Sequence, residues 1–364
     1  MRADANPESK IQNRLAAPRT EPWPALVPPA PPRNNWVMLA KLLAVAKNAF
    51  LETIRQPVFN VLLWVAAGLL MASPSIAGFS LENAEGDIKI VMDVGLATLL
   101  LYGLLASVFS AAGVITREIE SHTVLTVVSK PVGRPLFLFG KYLGVCAAVL
   151  IGYFFLCLVL LMTVRHGVLS AAWNKPDWPV LTFSGLALAL ALIAATFGNY
   201  NYGWYFPTAL LAWVVPLGAL AMIGVLFIAP EWKLQSPLHD FGNLQIVYAI
   251  TMCFSGVLIL TAFAVALATR FSQVVTLLLC GGVYVIGLLS DHYLGLPAQE
   301  GGAWFYRFLY SLVPNFQFFW TGDALTQNQL IPVGQVVQVT AYAGLYALGV
   351  LGLGVALFET REVG

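Results

Sequence analysis

Residues 136–164 read LFLFGKYLGVCAAVLIGYFFLCLVLLMTV, and the only charged residue among them is Lys141, near the start. A bilayer has a hydrocarbon core about 30 Å thick, which about 20 consecutive apolar residues cross as an α-helix. The stretch therefore predicts a transmembrane helix. Its length leaves room for Lys141 near one end of the span, where a long side chain can reach the membrane surface.

Seven further segments of the chain have the same character. They are 57–79, 91–115, 180–196, 204–229, 246–268, 274–290 and 337–358. Asp93 is the only charged residue in any of these seven, and it lies near the start of its segment. The segments 180–196 and 274–290 are the shortest, which leaves open whether each is a full span. Together the eight segments predict an all-α, polytopic membrane helix bundle with about eight transmembrane helices.

The composition of the whole chain agrees with residence in a membrane. Of the 364 residues, 59% are hydrophobic and 10% are charged, and the mean hydropathy is +0.78. Soluble domains carry about 25% charged residues, so this chain has too few to cover a water-facing surface. The net charge of +1 gives no reason to expect a nucleic acid as a partner. The lipid bilayer is the partner that the composition implies.

The amino-terminal region divides into two parts. Residues 1–35 hold eight of the 21 prolines and no apolar run, which predicts a disordered, Pro-rich tail followed by a transmembrane domain over 36–361. Residues 36–55 place Lys41 and Glu52 on one helical face and Trp36 and Leu43 on the other. This pattern predicts an amphipathic helix in the membrane interface, which ends where Gln56 precedes Pro57.

The distribution of basic residues predicts the orientation. If consecutive segments cross the membrane in alternating directions, fourteen Lys and Arg residues lie on the side of the termini and five lie on the opposite side. Because basic residues are enriched in cytoplasmic loops, both termini are expected in the cytoplasm of a bacterium, with the chain in the inner membrane.

The cytoplasmic loop between the second and third segments carries the most distinctive pattern. Residues 116–135 read TREIESHTVLTVVSKPVGRP, and LFLFGKYLG comes next. The first half is charged and compatible with a helix, and the second half is interrupted by two prolines and a glycine. A short rigid helix here could transmit force from a soluble partner, whereas a solvated connector would have no such role.

This loop resembles the coupling-helix loop of ABC-2-type transporter permeases, and within that family the permeases of gliding-motility and copper-enzyme-maturation type. The residues that match the family's pattern are Glu118, Glu120, Thr123, Pro131, Arg134, Gly140 and Lys141. The end of the chain, LFETRE at 357–362, is similar as well. The chain departs from the family at Gly133, where serine is common, and in the two additional spans within 180–245.

The resemblance implies a permease subunit that exports an unidentified substrate and hydrolyses no ATP itself. ATP and Mg²⁺ would be bound by a separate ABC ATPase subunit, and a second copy of the chain or a similar permease would complete the complex. Residues 116–131 would form the ATPase-coupling element, in which Glu118 and Glu120 face basic groups of the ATPase and Thr123 packs into its groove. Arg134 and Lys141 would then contact anionic lipid headgroups.

Other chemistry receives little support from the sequence. No phosphate-binding loop occurs, since Gly133 and Lys141 are too far apart for one. The four histidines are on separate loops, and the four cysteines have no metal-ligand spacing, so neither set predicts a metal site. Two alternatives to the ABC permease remain. One is an ion-coupled secondary transporter, suggested only by Pro207 and Pro216 in one segment, and the other is a membrane scaffold without transport activity.

The stretch 291–336 is the longest one between two predicted spans. Its part 303–320 is rich in aromatic residues but also contains Arg307, Pro314 and Asn315, which disfavour a complete span. Aromatic residues concentrate at the headgroup level of membranes. We therefore expect this part to lie on the outer leaflet or to dip into it.

Overall fold

The computed structural model describes residues 35–79, 84–120, 133–169, 175–237, 239–241, 244–299 and 304–359, with side chains omitted at 84–85 and 116–120. Over these residues the fold is helical and has no β-strand. Eight of the described helices are long and apolar enough to cross a membrane. The prediction of an all-α polytopic membrane bundle is confirmed, and the protein is a multi-pass membrane protein.

Twelve α-helices form the described part of the chain. They are α1 (Asn35–Ile54), α2 (Pro57–Ala77), α3 (Ala84–Glu120), α4 (Arg134–His166), α5 (Trp178–Tyr202), α6 (Phe206–Phe227), α7 (Gln245–Ala268), α8 (Gln273–Ser290), α9 (Leu296–Gln299), α10 (Trp304–Leu312), α11 (Gly322–Thr326) and α12 (Val333–Glu359). A π-helical turn at Asp291–Gly295 joins α8 to α9, and a 3₁₀ turn at Phe316–Phe319 comes after α10. The spans are α2 to α8 and α12, with the seventh reaching Gln299.

The chain divides into two units, Met1–Met38 and Leu39–Gly364. In the first, the structure describes only the start of α1, where Trp36 is exposed. The second contains all eight spans, and its centre is formed by α3, α7 and α4. In these helices 78%, 72% and 67% of the most apolar 18-residue stretch is buried inside the protein. In α5 and the α8–α9 span the corresponding share is 22%. The bundle therefore has a protein-buried centre and a periphery whose apolar side chains face outward, as lipid contact requires.

The bundle has two ends, each defined by the helix termini that it contains. The α1 end contains Ile54, Arg134 and Glu359, and the far end contains Ala77 and His166. Helices α2 and α4 run from the α1 end to the far end and α12 runs back to the α1 end, so consecutive spans alternate in direction. Helix α1 stops at Ile54, and α2 starts at Pro57 after an extended Gln56, at the boundary that the sequence predicted.

The sequence left open whether 180–196 is a full span. In the structure this segment belongs to a 25-residue helix, α5, which is long enough to cross a membrane. The Asp177 carboxylate accepts a hydrogen bond from the Val180 backbone N–H at 3.1 Å and caps the amino terminus of α5. At the other end Gly203 has φ +66°, a left-handed conformation that glycine adopts without strain. Helix α6 then continues through Pro216 without a break, so the interrupted helix typical of secondary transporters is not found here.

The aromatic stretch after α9 enters the bundle. Phe316 and Phe319 are almost completely buried, and Phe319 packs against Gly256, eleven residues along α7. At 1.5 Å per residue, this contact is about 16 Å below the start of α7, close to the middle of the helix. The chain thus descends along α10, turns at Phe316–Phe319 and returns through α11. Of the two positions expected for this stretch, the structure shows the one that dips inward.

Candidate functional site

Helix α3 extends beyond the apolar part of its span. The span ends at Ile115, and the helix continues without interruption to Glu120. Glu118 and Glu120 therefore lie on helical backbone at the α1 end, although their side chains are outside the described structure. Thr123 and Pro131 also lie outside the described residues. The loop is thus attached to one span as a continuation of its helix.

On the other side of the loop, α4 begins at Arg134 after an extended Gly133. Arg134 Nη1 donates a hydrogen bond to the Glu359 carbonyl oxygen at 2.7 Å, and its guanidinium lies 5.7 Å from the centre of the Phe358 ring. Arg270 Nε donates to the Leu357 carbonyl oxygen at 2.9 Å. The last turn of a helix has carbonyl groups without intrahelical partners. Two arginines therefore cap the carboxyl terminus of α12.

Lys141 is positioned differently from the sequence prediction. Its side chain is 1% exposed, and Nζ lies 3.8 Å from Glu52 Oε2 on α1 and 5.5 Å from the Phe137 ring centre. A side chain buried in this way does not reach lipid headgroups, so the expected headgroup contact of Lys141 is wrong. The pattern of charges in the sequence could not reveal this, because Glu52 and Lys141 are 89 positions apart. The ion pair instead joins α1 to the first turns of α4.

Glycines bring α1 and α4 together beside this ion pair. A Cβ atom on Gly144 would lie 2.3 Å from the Ala46 carbonyl oxygen, and one on Gly140 would lie 2.7 Å from Val45. Only glycine allows the two backbones to approach so closely. The match of Gly140 to the permease pattern therefore coincides with a packing requirement at the α1–α4 contact.

The junction between α1 and α2 contains buried polar groups. Thr53, Gln56 and Asn60 are all at most 7% exposed. Asn60 Nδ2 donates to the carbonyl oxygens of Ile54 and Gln56 at 3.0 Å, which closes the break between the helices. The Gln56 amide packs directly against Gly113 of α3. The α1 end of the bundle is therefore one connected assembly of α1, α2, α3 and α4.

At the far end, Arg165 joins α4 to the α5–α6 hairpin. Its Nε donates to Asp177 Oδ2 at 3.2 Å, and its Nη1 lies 3.2 Å from Asp240 Oδ2. A third contact is a hydrogen bond from Nη2 to the Ile228 carbonyl oxygen, at the end of α6. Arg165 and Asp177 are 3% and 5% exposed. The arginine thus contacts the start of the hairpin, its end and the segment after it.

An open cavity of about 550 Å³ lies beside this arginine at the far end. The residues around it come from α3, α4, the start of α7 with the segment before it, and α11 with the segment after it. They include Met92, Val164, His239, Asp240, Phe241, Gln245, Leu325, Asn328 and Gln329. Its wall mixes apolar side chains with amides and one carboxylate, so it can accept a ligand that has both polar and apolar parts.

Asp93 lies near this cavity, against the start of α11. Its Oδ1 is shielded from solvent and accepts no hydrogen bond from any described residue. A Cβ atom on Gly322 would lie 2.8 Å from that oxygen, and the acidic Asp323 is the next residue. Within the described structure no group of three His, Cys, Asp or Glu side chains is arranged to hold a metal ion. Asp93 therefore contacts the segment that returns from the bundle, a neighbour that the sequence pattern did not indicate.

Comparison of the sequence with protein-family models and with curated proteins gives no match. Any assignment of function therefore depends on the geometry of the two ends and on the resemblance of the loop.

Proposed function

We propose that the protein is the membrane-spanning permease subunit of an ABC-2-type transporter, which moves its substrate by using ATP hydrolysed by a separate ATPase. The observation that carries the proposal is the continuity of α3 from the far end to Glu120. A helix that extends beyond its span can pass a displacement of the loop to the far end, because its backbone hydrogen bonds continue throughout.

The contacts of α4 support the same mechanism. Its start is held to α1 by the Lys141–Glu52 ion pair and the Gly140 and Gly144 contacts, and to α12 by Arg134. A force applied to the loop between α3 and α4 would therefore act on a connected group of helices. In this proposal ATP and Mg²⁺ are bound by the ATPase, and the coupling residues that contact it are Glu118, Glu120 and Thr123.

The proposed orientation places the α1 end, and with it both termini, in the cytoplasm of a bacterial cell. The basis for it is the excess of basic residues on that side. The ATPase would then bind the loop at 116–131, and the open cavity at the far end would face the opposite side, where an exported substrate leaves. A second permease copy or a similar chain would complete the complex.

The test is co-purification of the protein with its ATPase from native membranes, followed by an ATPase assay of the complex. The variant Glu118→Lys/Glu120→Lys should insert into the membrane and fold but lose the bound ATPase. Glu231→Lys is the matched control, because Glu231 is an exposed acidic residue in the turn after α6 at the far end. It should retain the ATPase.

Two outcomes would contradict the proposal. One is a wild-type protein that purifies from native membranes without any nucleotide-hydrolysing partner. The other is a double variant that binds the ATPase and supports hydrolysis as the wild type does, which would make the loop a simple connector.

A further inference from the structure

The α5–α6 hairpin does not close completely onto the rest of the bundle. Helix α5 packs mainly on α6, and the hairpin reaches the centre of the bundle chiefly through the contact of α6 with α4. Between the hairpin and helices α2 and α4 a groove of about 290 Å³ remains. Its walls include Trp64, Met71, Phe155, Met162 and Leu188.

The chemistry of the groove is almost entirely apolar. Apart from the Trp64 indole, Ser184 supplies the only polar side chain among the described lining residues, and its hydroxyl donates to the Val180 carbonyl oxygen at 2.6 Å. Apart from the indole, no polar side chain among the described lining residues requires a polar ligand. Met71 and Met162 are flexible side chains that adapt to an irregular apolar partner.

The position of the groove limits what can fill it. All of its lining residues belong to membrane spans, and on α2 it extends from Trp64 to Met71, a length of about 10 Å at 1.5 Å per residue. An empty space of this size would forfeit van der Waals contacts along its walls. At this depth the surrounding solvent consists of lipid acyl chains.

Polar side chains lie next to the groove on the side that faces the far end of the bundle. His166 lies one turn beyond Met162 on α4, and its Nδ1 is shielded from solvent and has no hydrogen-bond partner among the described residues. Trp178, at the start of α5, is 57% exposed, as is common for tryptophan at the headgroup level. An apolar groove with an exposed tryptophan near its end matches a lipid that has its head at the membrane surface.

From these observations we infer that the groove binds one acyl chain of a membrane phospholipid, whose head lies beside His166 and Trp178. The lipid acts as a wedge between the hairpin and the bundle and fills the space that the side chains leave. The inference depends on the membrane location of the helices and not on the proposed partnership with an ATPase.

The experiment uses the purified full chain in bilayers that contain phosphatidylcholine with a diazirine in one acyl chain. After irradiation, mass spectrometry of peptides should locate the label at the groove, on the peptides that contain Met71 and Met162. In Gly185→Leu, the new side chain enters the groove, because Gly185 lines it and a Cβ atom there meets nothing within 4 Å. Labelling at the groove should fall about tenfold, the change expected from losing roughly two methylene groups of contact.

Gly281→Leu on α8 is the matched control, since its Cβ atom also meets nothing within 4 Å and Gly281 does not line the groove. Its labelling should equal that of the wild type. If Gly185→Leu does not give a folded protein by size-exclusion chromatography, Gly218→Leu fills the groove from α6, where the nearest atom is 3.6 Å from the Cβ position. Undiminished labelling in a folded groove-filling variant would overturn the inference. So would a wild-type groove that takes no label.

Discussion

Arg165 holds both ends of the α5–α6 hairpin to α4, and Arg165→Met tests what that contact contributes. The substitution keeps an unbranched side chain of similar length but removes the cation that faces Asp177 and Asp240. Breaking a buried ion pair by removing one partner costs about 3–5 kcal/mol, because the remaining charge is left uncompensated. Since Asp240 is 18% exposed and partly solvated, we expect a loss near the lower end, about 3 kcal/mol.

The loss should be concentrated in the hairpin. Without Arg165, the hairpin keeps its apolar contact with α4, the 3.4 Å hydrogen bond from Thr208 Oγ1 to the Ile54 carbonyl oxygen, and the covalent connections at its ends. Hydrogen–deuterium exchange in Trp178–Phe227 should therefore accelerate much more than exchange in α3 or α7. An SDS titration in mixed micelles would give the accompanying change in the free energy of unfolding.

A triple variant separates the effect of charge from that of shape. Arg165→Met combined with Asp177→Asn and Asp240→Asn removes the two carboxylates that the single variant leaves unpaired. Asparagine caps helices about as well as aspartate, so α5 keeps its amino-terminal cap. The triple variant should recover most of the stability and the slow exchange. If it is as unstable as Arg165→Met alone, the arginine acts through packing, and the electrostatic reasoning is refuted.

Other parts of the molecule give three further predictions. Gly256→Leu should displace Phe319, whose Cγ is 3.1 Å from the position of the new Cβ, and should lower the free energy of unfolding by about 1–3 kcal/mol. The buried Cys253 thiol should then react with maleimide, and an unreactive thiol would contradict the contact between Gly256 and Phe319. Burial, helped by the hydrogen bond to Asp291, raises the pKa of Tyr310, so its contribution to stability is complete below about pH 10 and is lost as the pH rises through the raised pKa. The difference between ultraviolet titrations of the wild type and Tyr310→Phe measures the pKa of Tyr310, and an ordinary tyrosine pKa would refute the prediction. Reporter fusions placed after residues 85, 172, 238 and 300 should all report the outer side, and a cytoplasmic signal at the second or third of these positions would remove α5 and α6 as spans.

Much of the fold could be predicted from the sequence because a bilayer imposes a simple requirement. Each span needs about 20 apolar residues, and this requirement identified all eight spans. The full length of α5 was also encoded locally, by Asp177 before Trp178-Pro179 and by Gly203 at the other end. Hydropathy alone missed these capping signals, because it measures the apolar middle of a helix and not its ends.

The polar contacts could not be predicted in the same way. Arg165 and Asp240 are 75 positions apart, and Lys141 and Glu52 are 89 positions apart, so no periodic pattern relates them. The burial of Phe316 and Phe319 was equally hidden, since aromatic residues suit both a membrane surface and a packed interior. In each case the outcome depends on which helices are neighbours, and that is a property of the tertiary structure.

The locations of these polar contacts bear on how the bundle could move. The contacts that link different helices through charged groups lie at the ends, with Lys141 and Arg134 at one end and Arg165 at the other. Between them, the described core is mainly apolar, and its few cross-helix polar contacts are neutral ones such as the 2.7 Å pair of Ser107 and Thr261. Apolar surfaces slide past each other at lower cost than ion pairs break, because no buried charge loses its partner. A displacement applied at the α1 end would therefore tilt α3 and α4 within the apolar middle while both ends keep their ion pairs.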